Sequence, residues 1–90
     1  MHEFLYVLGE NVLCRIVREE SAAGIILPEE SKESVGKTYL VVEDTGPLVT
    51  DVIKGDKLMI NQFGEKYFVD KDRVIIPHKE ILAVRRETSL

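Results

Sequence analysis

Short β-type segments separated by turn residues run through the whole chain, and no segment shows the apolar spacing of an amphipathic helix. Turns are indicated where glycine stands beside proline or a charged residue, as at Gly46-Pro47 and Gly55-Asp56. Short strands with turns at regular spacing predict an all-β fold of the sandwich or barrel type. The predicted strands cover residues 4–8, 11–18, 37–43, 57–63, 66–69, 73–76 and 80–85.

The segment over residues 11–18 alternates most clearly, and it contains the only cysteine of the chain. We expect Cys14 to be a buried structural thiol, because a reactive cysteine needs an electropositive and partly open setting. A single cysteine forms no disulfide within the chain, which favours a reducing compartment, and we expect the cytoplasm. The alternation places Val12, Cys14 and Ile16 on one face, and Leu13, Arg15 and Val17 on the other.

Size and charge exclude several classes of protein. The chain has 90 residues and a net charge of −4, which predicts one domain over residues 1–90 without the basic face of a nucleic-acid binder. No apolar run approaches the roughly 20 residues that span a bilayer, and the N-terminus lacks the basic start and apolar stretch of a signal peptide. We therefore expect no nucleic-acid partner and no membrane partner.

Catalytic and metal-binding patterns are weak. His2 and His78 lie far apart in sequence without cysteines or carboxylates at metal-ligand spacing, so we interpret both as surface histidines. Asp70 and Asp72 flank a lysine in a predicted turn, where aspartate is favoured for local hydrogen bonding. The six glycines form no phosphate-binding pattern. We predict no catalytic residue and no metal site, although a pocket built from residues distant in sequence stays open.

The one long irregular stretch, residues 19–36, carries the consecutive aliphatic residues Ile25, Ile26 and Leu27 among small, polar and charged ones. A loop of that length in a small domain is usually functional or disordered. Either the triplet packs back on its own domain, or it is offered to a partner. Pro28 holds Leu27 in an extended conformation, and the polar run over residues 29–34 would keep the segment solvated, which favours presentation to a partner.

Four motifs in series carry a family resemblance. The stretch Ser-Ala-Ala-Gly-Ile-Ile-Leu-Pro-Glu-Glu-Ser-Lys-Glu at residues 21–33 resembles the mobile loop of the chaperonin-10 family, the GroES-type co-chaperonins. Gly-Lys and an apolar strand at residues 36–42, Val-Ile-Lys-Gly-Asp-Lys-Leu at residues 52–58 and Glu-Ile-Leu-Ala-Val at residues 80–84 resemble later strands and turns of that family. The resemblance covers roughly residues 12–86, in order, and four motifs in series are strongly specific.

The resemblance implies a small irregular β-barrel with a mobile loop at about residues 19–36, assembled as a seven-membered ring. Such a ring caps a GroEL-type chaperonin, modulates its ATPase cycle and encloses an unfolded client protein. ATP is bound by the chaperonin, so we expect the chain to need no cofactor and to be no enzyme. The implied chaperonin-binding residues are Gly24, Ile25, Ile26 and Leu27. Pairing of the terminal strands of neighbouring subunits would use Phe4, Leu5, Tyr6 and Val7 with Ile81, Leu82, Ala83 and Val84.

The sequence departs from the family pattern in three places. The N-terminal pattern, at residues 7–12, lacks the usual proline and arginine, and the loop has Ala23-Gly24 where two glycines are common. Many members also insert a β-hairpin after the central strand, which forms the roof of the ring, and residues 43–51 leave little room for one. We hypothesise a shortened or missing roof and hence a wider apical opening, as in some phage-encoded lids.

Two other functions stay open at the level of sequence. The chain could be a β-barrel adaptor whose loop docks a different partner, and a monomeric or dimeric mass would favour that function. A GroES-like barrel also occurs as a subdomain of zinc-dependent alcohol dehydrogenases. The absence of a cysteine cluster and of a nucleotide-binding motif weighs against this enzyme.

Overall fold

A single antiparallel sheet organises the structure, a computed structural model that describes residues 3–19 and 37–87. Its strands are β1 (Asn11–Glu19), β2 (Lys37–Thr45), β3 (Lys57–Ile60), β4 (Tyr67–Phe68), β5 (Arg73–Pro77) and β6 (Ile81–Arg85). A short 3₁₀ helix, His78–Glu80, leads from β5 into β6. The spatial order of the strands is β4-β5-β1-β2-β3-β6.

Strand β1 lies at the centre of the sheet and is paired along both edges. On one side it pairs with β2 from Val12 opposite Thr45 to Glu19 opposite Lys37. On the other side it pairs with β5, so that residues 11–15 lie opposite residues 73–77. Backbone groups of β1 are therefore satisfied within the chain, as a buried central strand requires.

The core forms where β1, β2 and β5 turn their β-branched side chains inward. Val12, Val42, Val74 and Ile76 are each at most 1% exposed, and Cys14 lies among them with no exposed surface. β-branched residues fit the pleated surface of a sheet well, which explains why these sequences form strands. The predicted inward face of β1 is confirmed for Val12 and Cys14, while Ile16 packs half-buried against the same cluster.

Leu13, predicted on the other face of β1, is buried as well, but it does not belong to the core cluster that contains Val12 and Cys14. Its neighbour two positions on, Arg15, is exposed as predicted. The ladder between β1 and β2 shifts between Leu13 and Cys14. A shift of this kind marks a β-bulge, a local irregularity in the pairing of the two strands.

Residues 4–8, predicted as a strand, are extended chain outside the sheet. No described strand pairs with them. They end in a turn in which Asn11 donates from its backbone N–H and from Nδ2 to the carbonyl oxygen of Leu8, at 3.2 and 2.9 Å. Gly9 in this turn has φ of 60°, a left-handed conformation that glycine adopts without strain.

The two outer strands of the described sheet are β4 and β6, and they do not pair with each other. The all-β prediction is confirmed. The sheet is open, so closure into a barrel and assembly into a ring stay predictions. Strand β3 is shorter than predicted and ends at Ile60, because Asn61 begins a turn in which its Oδ1 accepts the backbone N–H of Phe63.

Residues 46–56, which connect β2 with β3, contain turns but no strand. No β-hairpin is therefore inserted in this described connection. The turn after β2 is held against the N-terminal segment, since Leu48 donates its backbone N–H to the carbonyl oxygen of Gly9 at 3.1 Å. The hypothesis of a reduced roof in an assembled ring stays a prediction. Within the described residues, no helix has the length and apolar character needed to cross a bilayer.

Candidate functional site

The N-terminal segment presents a row of large apolar side chains to solvent. Phe4, Tyr6 and Leu8 are 76%, 75% and 70% exposed, whereas Val7 between them is buried. The rings of Phe4 and Tyr6 lie 6.5 Å apart, centroid to centroid. Leu5 is also exposed, at 42%. A contiguous exposed apolar row of this kind is typical of a surface that binds another molecule.

The last strand, β6, has two half-buried side chains that pack against the core and two exposed side chains. Ile81 and Val84 are half-buried and pack against the core, opposite Ile60 and Leu58 of β3. Leu82 is 69% exposed, and Ala83 beside it is exposed as well. As an outer strand, β6 has one edge whose backbone groups are not paired by any described residue. A free, partly apolar edge is a template for pairing with another chain.

The predicted contact between the two terminal segments is not made within one chain. The sheet contains no ladder between residues 4–8 and β6 among its described pairings. Residues 4–8 instead lead into the turn at Gly9 beside the β2–β3 connection. Pairing between subunits stays a prediction for all eight of these interface residues.

Asp56, which sequence analysis treated only as a turn residue, is a buried carboxylate. It is 1% exposed and accepts two hydrogen bonds from Arg86, at 2.8 Å from Nε and 2.7 Å from Nη2. Its Oδ2 also accepts the backbone N–H of Ile53 at 3.0 Å. The hydrogen bonds from Arg86 hold the pKa of Asp56 below its ordinary value, although burial acts in the opposite direction. The pair fixes the end of β6 to the connection that precedes β3.

This anchor extends to His78. Arg86 Nη2 donates to the backbone carbonyl oxygen of Asp51 at 3.2 Å, and the Asp51 carboxylate lies 2.8 Å from Nε2 of His78. The surface position predicted for His78 holds only in part, since its side chain is 36% exposed and paired with that carboxylate. His2 lies outside the described residues. Both ends of β6 are therefore tied to the same connection, at Asp51 and Asp56.

The ladder between β1 and β2 reaches Glu19 opposite Lys37, so residues 20–36 leave and re-enter the sheet at neighbouring positions. The end of β1 is also fixed from its other side, because Ile16 donates its backbone N–H to the carbonyl oxygen of Asp72 at 2.7 Å. Arg18 pairs with the carboxylate of Asp72 at 3.7 Å. The predicted chaperonin-binding residues, Gly24, Ile25, Ile26 and Leu27, lie outside the described residues.

The interpretations of Cys14, Asp70 and Asp72 are confirmed. Burial raises the pKa of the Cys14 thiol to about 12, and the charge of Glu43 acts in the same direction, so little reactive thiolate forms. Asp70 Oδ1 accepts the backbone N–H of Asp72 at 2.8 Å, as a turn aspartate does. Within the described residues, no three metal-ligating side chains come together.

Sequence reasoning missed the pair of Asp56 and Arg86. Gly55-Asp56 was visible as a turn signal, and Gly55 does have φ of 96°. Nothing in the local sequence signals a partner 30 positions away. Several arginines lie near the end of the chain, and only the path of β6 determines that Arg86 is the one that reaches Asp56.

Comparison with known families identifies the family of the chain. The model of the family described as "Chaperonin 10 Kd subunit" matches residues 4–85. The chain belongs to the chaperonin 10 family and is therefore a co-chaperonin, a kind of protein that regulates folding and is not an enzyme.

Curated relatives carry the same description. The chain is 35% identical over 80 residues to a co-chaperonin GroES of Fervidobacterium nodosum, a match that covers 84% of this chain and 90% of the relative. It is 30% identical over 80 residues to the GroES of Kosmotoga olearia, with the same coverage. The GroES of Bacillus cytotoxicus is 27% identical over 88 residues, which is 86% of this chain and 94% of the relative. No solved structure gave a significant match.

Proposed function

We propose that the chain forms a seven-membered ring that closes a GroEL-type chaperonin over an unfolded client. The single observation that supports this assembly best is that two apolar segments lack a strand partner on at least one edge. Residues 4–8 pair with no described strand, and β6 pairs with β3 on one edge alone. In the proposed ring, residues 4–8 of one subunit pair with the free edge of β6 in the next. Closure by rotation leaves no free edge at this interface, which explains why the edge carries Leu82 and Ala83 instead of charged residues.

The buried pair of Asp56 and Arg86 supports the same proposal. It follows directly after β6 and ties the end of this strand to the body of the sheet. An edge strand that receives a neighbour needs a fixed position, because pairing an already ordered strand costs less conformational entropy. We therefore assign Asp56 and Arg86 the role of positioning β6.

The chaperonin-binding element in this proposal is the triplet Ile25, Ile26 and Leu27. Burying an aliphatic side chain yields about 1.5–3 kcal/mol, while fixing the backbone costs about 1–2 kcal/mol per residue. Ordering the residues around the triplet then offsets most of the gain, so one segment binds weakly. Several segments on one ring bind together through effective concentration, and weak single contacts also allow release in each cycle.

The remaining parts of the proposal follow from the lid function. ATP is bound and hydrolysed by the chaperonin, so the chain requires no cofactor of its own, and it works in the cytoplasm. The short connection over residues 46–56 would leave a reduced roof and a wider opening at the apex of the ring. A closed roof built from these residues in a density map of the ring would contradict this last part.

The experiment that tests the lid compares Ile26→Asp with Leu48→Asp, which places the same charge at an exposed aliphatic residue outside the triplet. Each variant is measured for mass by analytical ultracentrifugation and for its effect on the ATPase rate of a GroEL-type chaperonin. We expect both variants to keep the ring, and only Ile26→Asp to lose the ATPase effect.

Two results would contradict the lid proposal. Unfolding of Ile26→Asp would show that the triplet belongs to the core of its own domain. A monomeric or dimeric wild-type protein without effect on the chaperonin would favour an adaptor with a different partner.

A further inference from the structure

An open groove of about 810 Å³ is lined by residues from all six strands. Its apolar lining includes Ile16, Leu40, Leu58 and Val74, which belong to the core or pack against it. Phe68 of the outer strand β4 also lines it and is 67% exposed. The groove thus brings the apolar interior of the sheet into contact with solvent, beside a free strand edge.

Every charged residue in the described lining is basic. Arg18, Lys57, Lys66 and Arg85 line the groove, and no described aspartate or glutamate does. This contrasts with the chain as a whole, which has 16 acidic and 12 basic residues. A cleft lined by one sign of charge above low-dielectric walls concentrates the opposite charge.

Lys57 and Arg85 are directly opposite each other in the ladder between β3 and β6. Like charges at opposite positions of a strand pair destabilise the sheet unless another charge neutralises them. Within residues 3–19 and 37–87, neither side chain has a carboxylate within ion-pair distance, whereas Arg18 pairs with Asp72. The Lys57 ammonium instead lies over the ring of Tyr39, 4.7 Å from its centroid.

We propose that this groove binds a segment of another polypeptide in which consecutive apolar side chains are flanked by carboxylates. The apolar lining accommodates the side chains, and the carboxylates neutralise Lys57 and Arg85. A polypeptide fits better than a small amphiphile, because the free edge of β4 can add main-chain hydrogen bonds to an extended segment. This binding is distinct from the proposed docking of residues 25–27 on a chaperonin. The groove shares Leu82 with the proposed pairing of residues 4–8 with β6, which uses the backbone edge of that strand.

The test uses a fluorescein-labelled peptide with four central aliphatic residues and three glutamates on each side, titrated with the full chain at low salt. Two matched peptides carry lysines in place of the glutamates, or serines in place of the aliphatic residues. The double variant Lys57→Gln with Arg85→Gln is compared with Lys71→Gln, which removes an exposed cation outside the groove.

We expect saturable binding of the acidic-apolar peptide that weakens with added salt. The double variant should bind about fivefold more weakly, given about 0.2–1 kcal/mol for each exposed ion pair. Lys71→Gln should bind like the wild type, and both matched peptides should bind less well than the first. Thermal unfolding by circular dichroism confirms that each variant is folded.

Three outcomes would overturn the proposal. The lysine peptide could bind as well as the glutamate peptide, or the double variant could bind like Lys71→Gln. The third is the absence of peptide binding together with a loss of oligomer mass in the double variant, which would assign the groove to a second copy of the chain.

Discussion

The strands around β1 and the two terminal segments use similar apolar residues, yet they lie in opposite environments. Val12, Val74 and Ile76 have almost no exposed surface, while Phe4, Tyr6 and Leu82 are mostly exposed. Large apolar side chains occur in both regions, so their presence alone does not explain the difference. It follows from pairing within the described chain, because β1 has partners on both edges, whereas β6 has a partner on one edge and residues 4–8 have none. The first region stabilises the subunit, and the second is available to another chain.

The largest expected effect compares the core around β1 with an exposed residue outside both regions, by the same chemical change at each position. Ile76→Ala removes a fully buried side chain of β5, the strand between β1 and β4. We expect a loss of about 2–5 kcal/mol in the free energy of unfolding. Ile53→Ala removes the same atoms from a residue that is 52% exposed and should change stability by about 0.5 kcal/mol or less. Urea unfolding at fixed protein concentration measures both. Equal losses would show that the β1 region is not the stabilising core.

The next effect concerns the anchor between the regions. Arg86→Met keeps much of the side-chain volume and leaves the Asp56 carboxylate buried without its cation. We expect a loss of about 2–3 kcal/mol at pH 7, somewhat below the value for a fully buried pair because Arg86 is 42% exposed. Arg85→Met, next to it on the exposed side of β6, is the matched control for unfolding in urea. If the free energy of unfolding falls no more than in the control, the pair of Asp56 and Arg86 does not position β6.

The same anchor predicts how stability depends on pH. The pKa of Asp56 is lower in the folded protein than in the unfolded chain, so its contribution is present above the unfolded value of about 4. The contribution is lost as the pH falls from there through the folded pKa. The difference in unfolding free energy between wild type and Arg86→Met should therefore shrink below about pH 4. A difference that stays constant down to pH 2 would contradict the assignment, and the difference between Asp56→Asn and the double variant Asp56→Asn with Arg86→Met should show no such change.

The smallest effect on the free energy of unfolding is expected in the outer strand β6. Leu82→Asp changes an exposed side chain of β6, so the stability of the subunit should change by about 0.5 kcal/mol or less. Its assembly should change strongly, because a buried charge at a subunit contact is costly without a partner. Sedimentation over a range of concentrations measures the assembly, with Leu48→Asp as the control because it places the same charge at an exposed leucine outside residues 4–8 and β6. If Leu82→Asp assembles like the wild type, β6 does not form the proposed subunit interface.

Most of the sheet was predictable from the sequence, for a physical reason. The six strands of the structure were all predicted because β-branched runs bounded by glycine and aspartate turns are local signals. Errors occurred where a distant partner decides the outcome. Asp56 is buried with an arginine that comes from beyond β6. Residues 4–8 have the pattern of a strand but find no described partner in their own chain.

The central position of β1 also sets the order in which the subunit can fold. Hydrogen bonds between β1 and β2 can form early, since both strands belong to the first half of the chain. The ladder that joins residues 11–15 to residues 73–77 requires that the chain has been synthesised beyond residue 77. Closing so long a loop costs entropy before the contacts are gained, and domains dominated by such pairings fold in about milliseconds to seconds. During that time the core side chains of β1 lack a cover, so a nascent co-chaperonin subunit is itself exposed to aggregation until its last third has arrived.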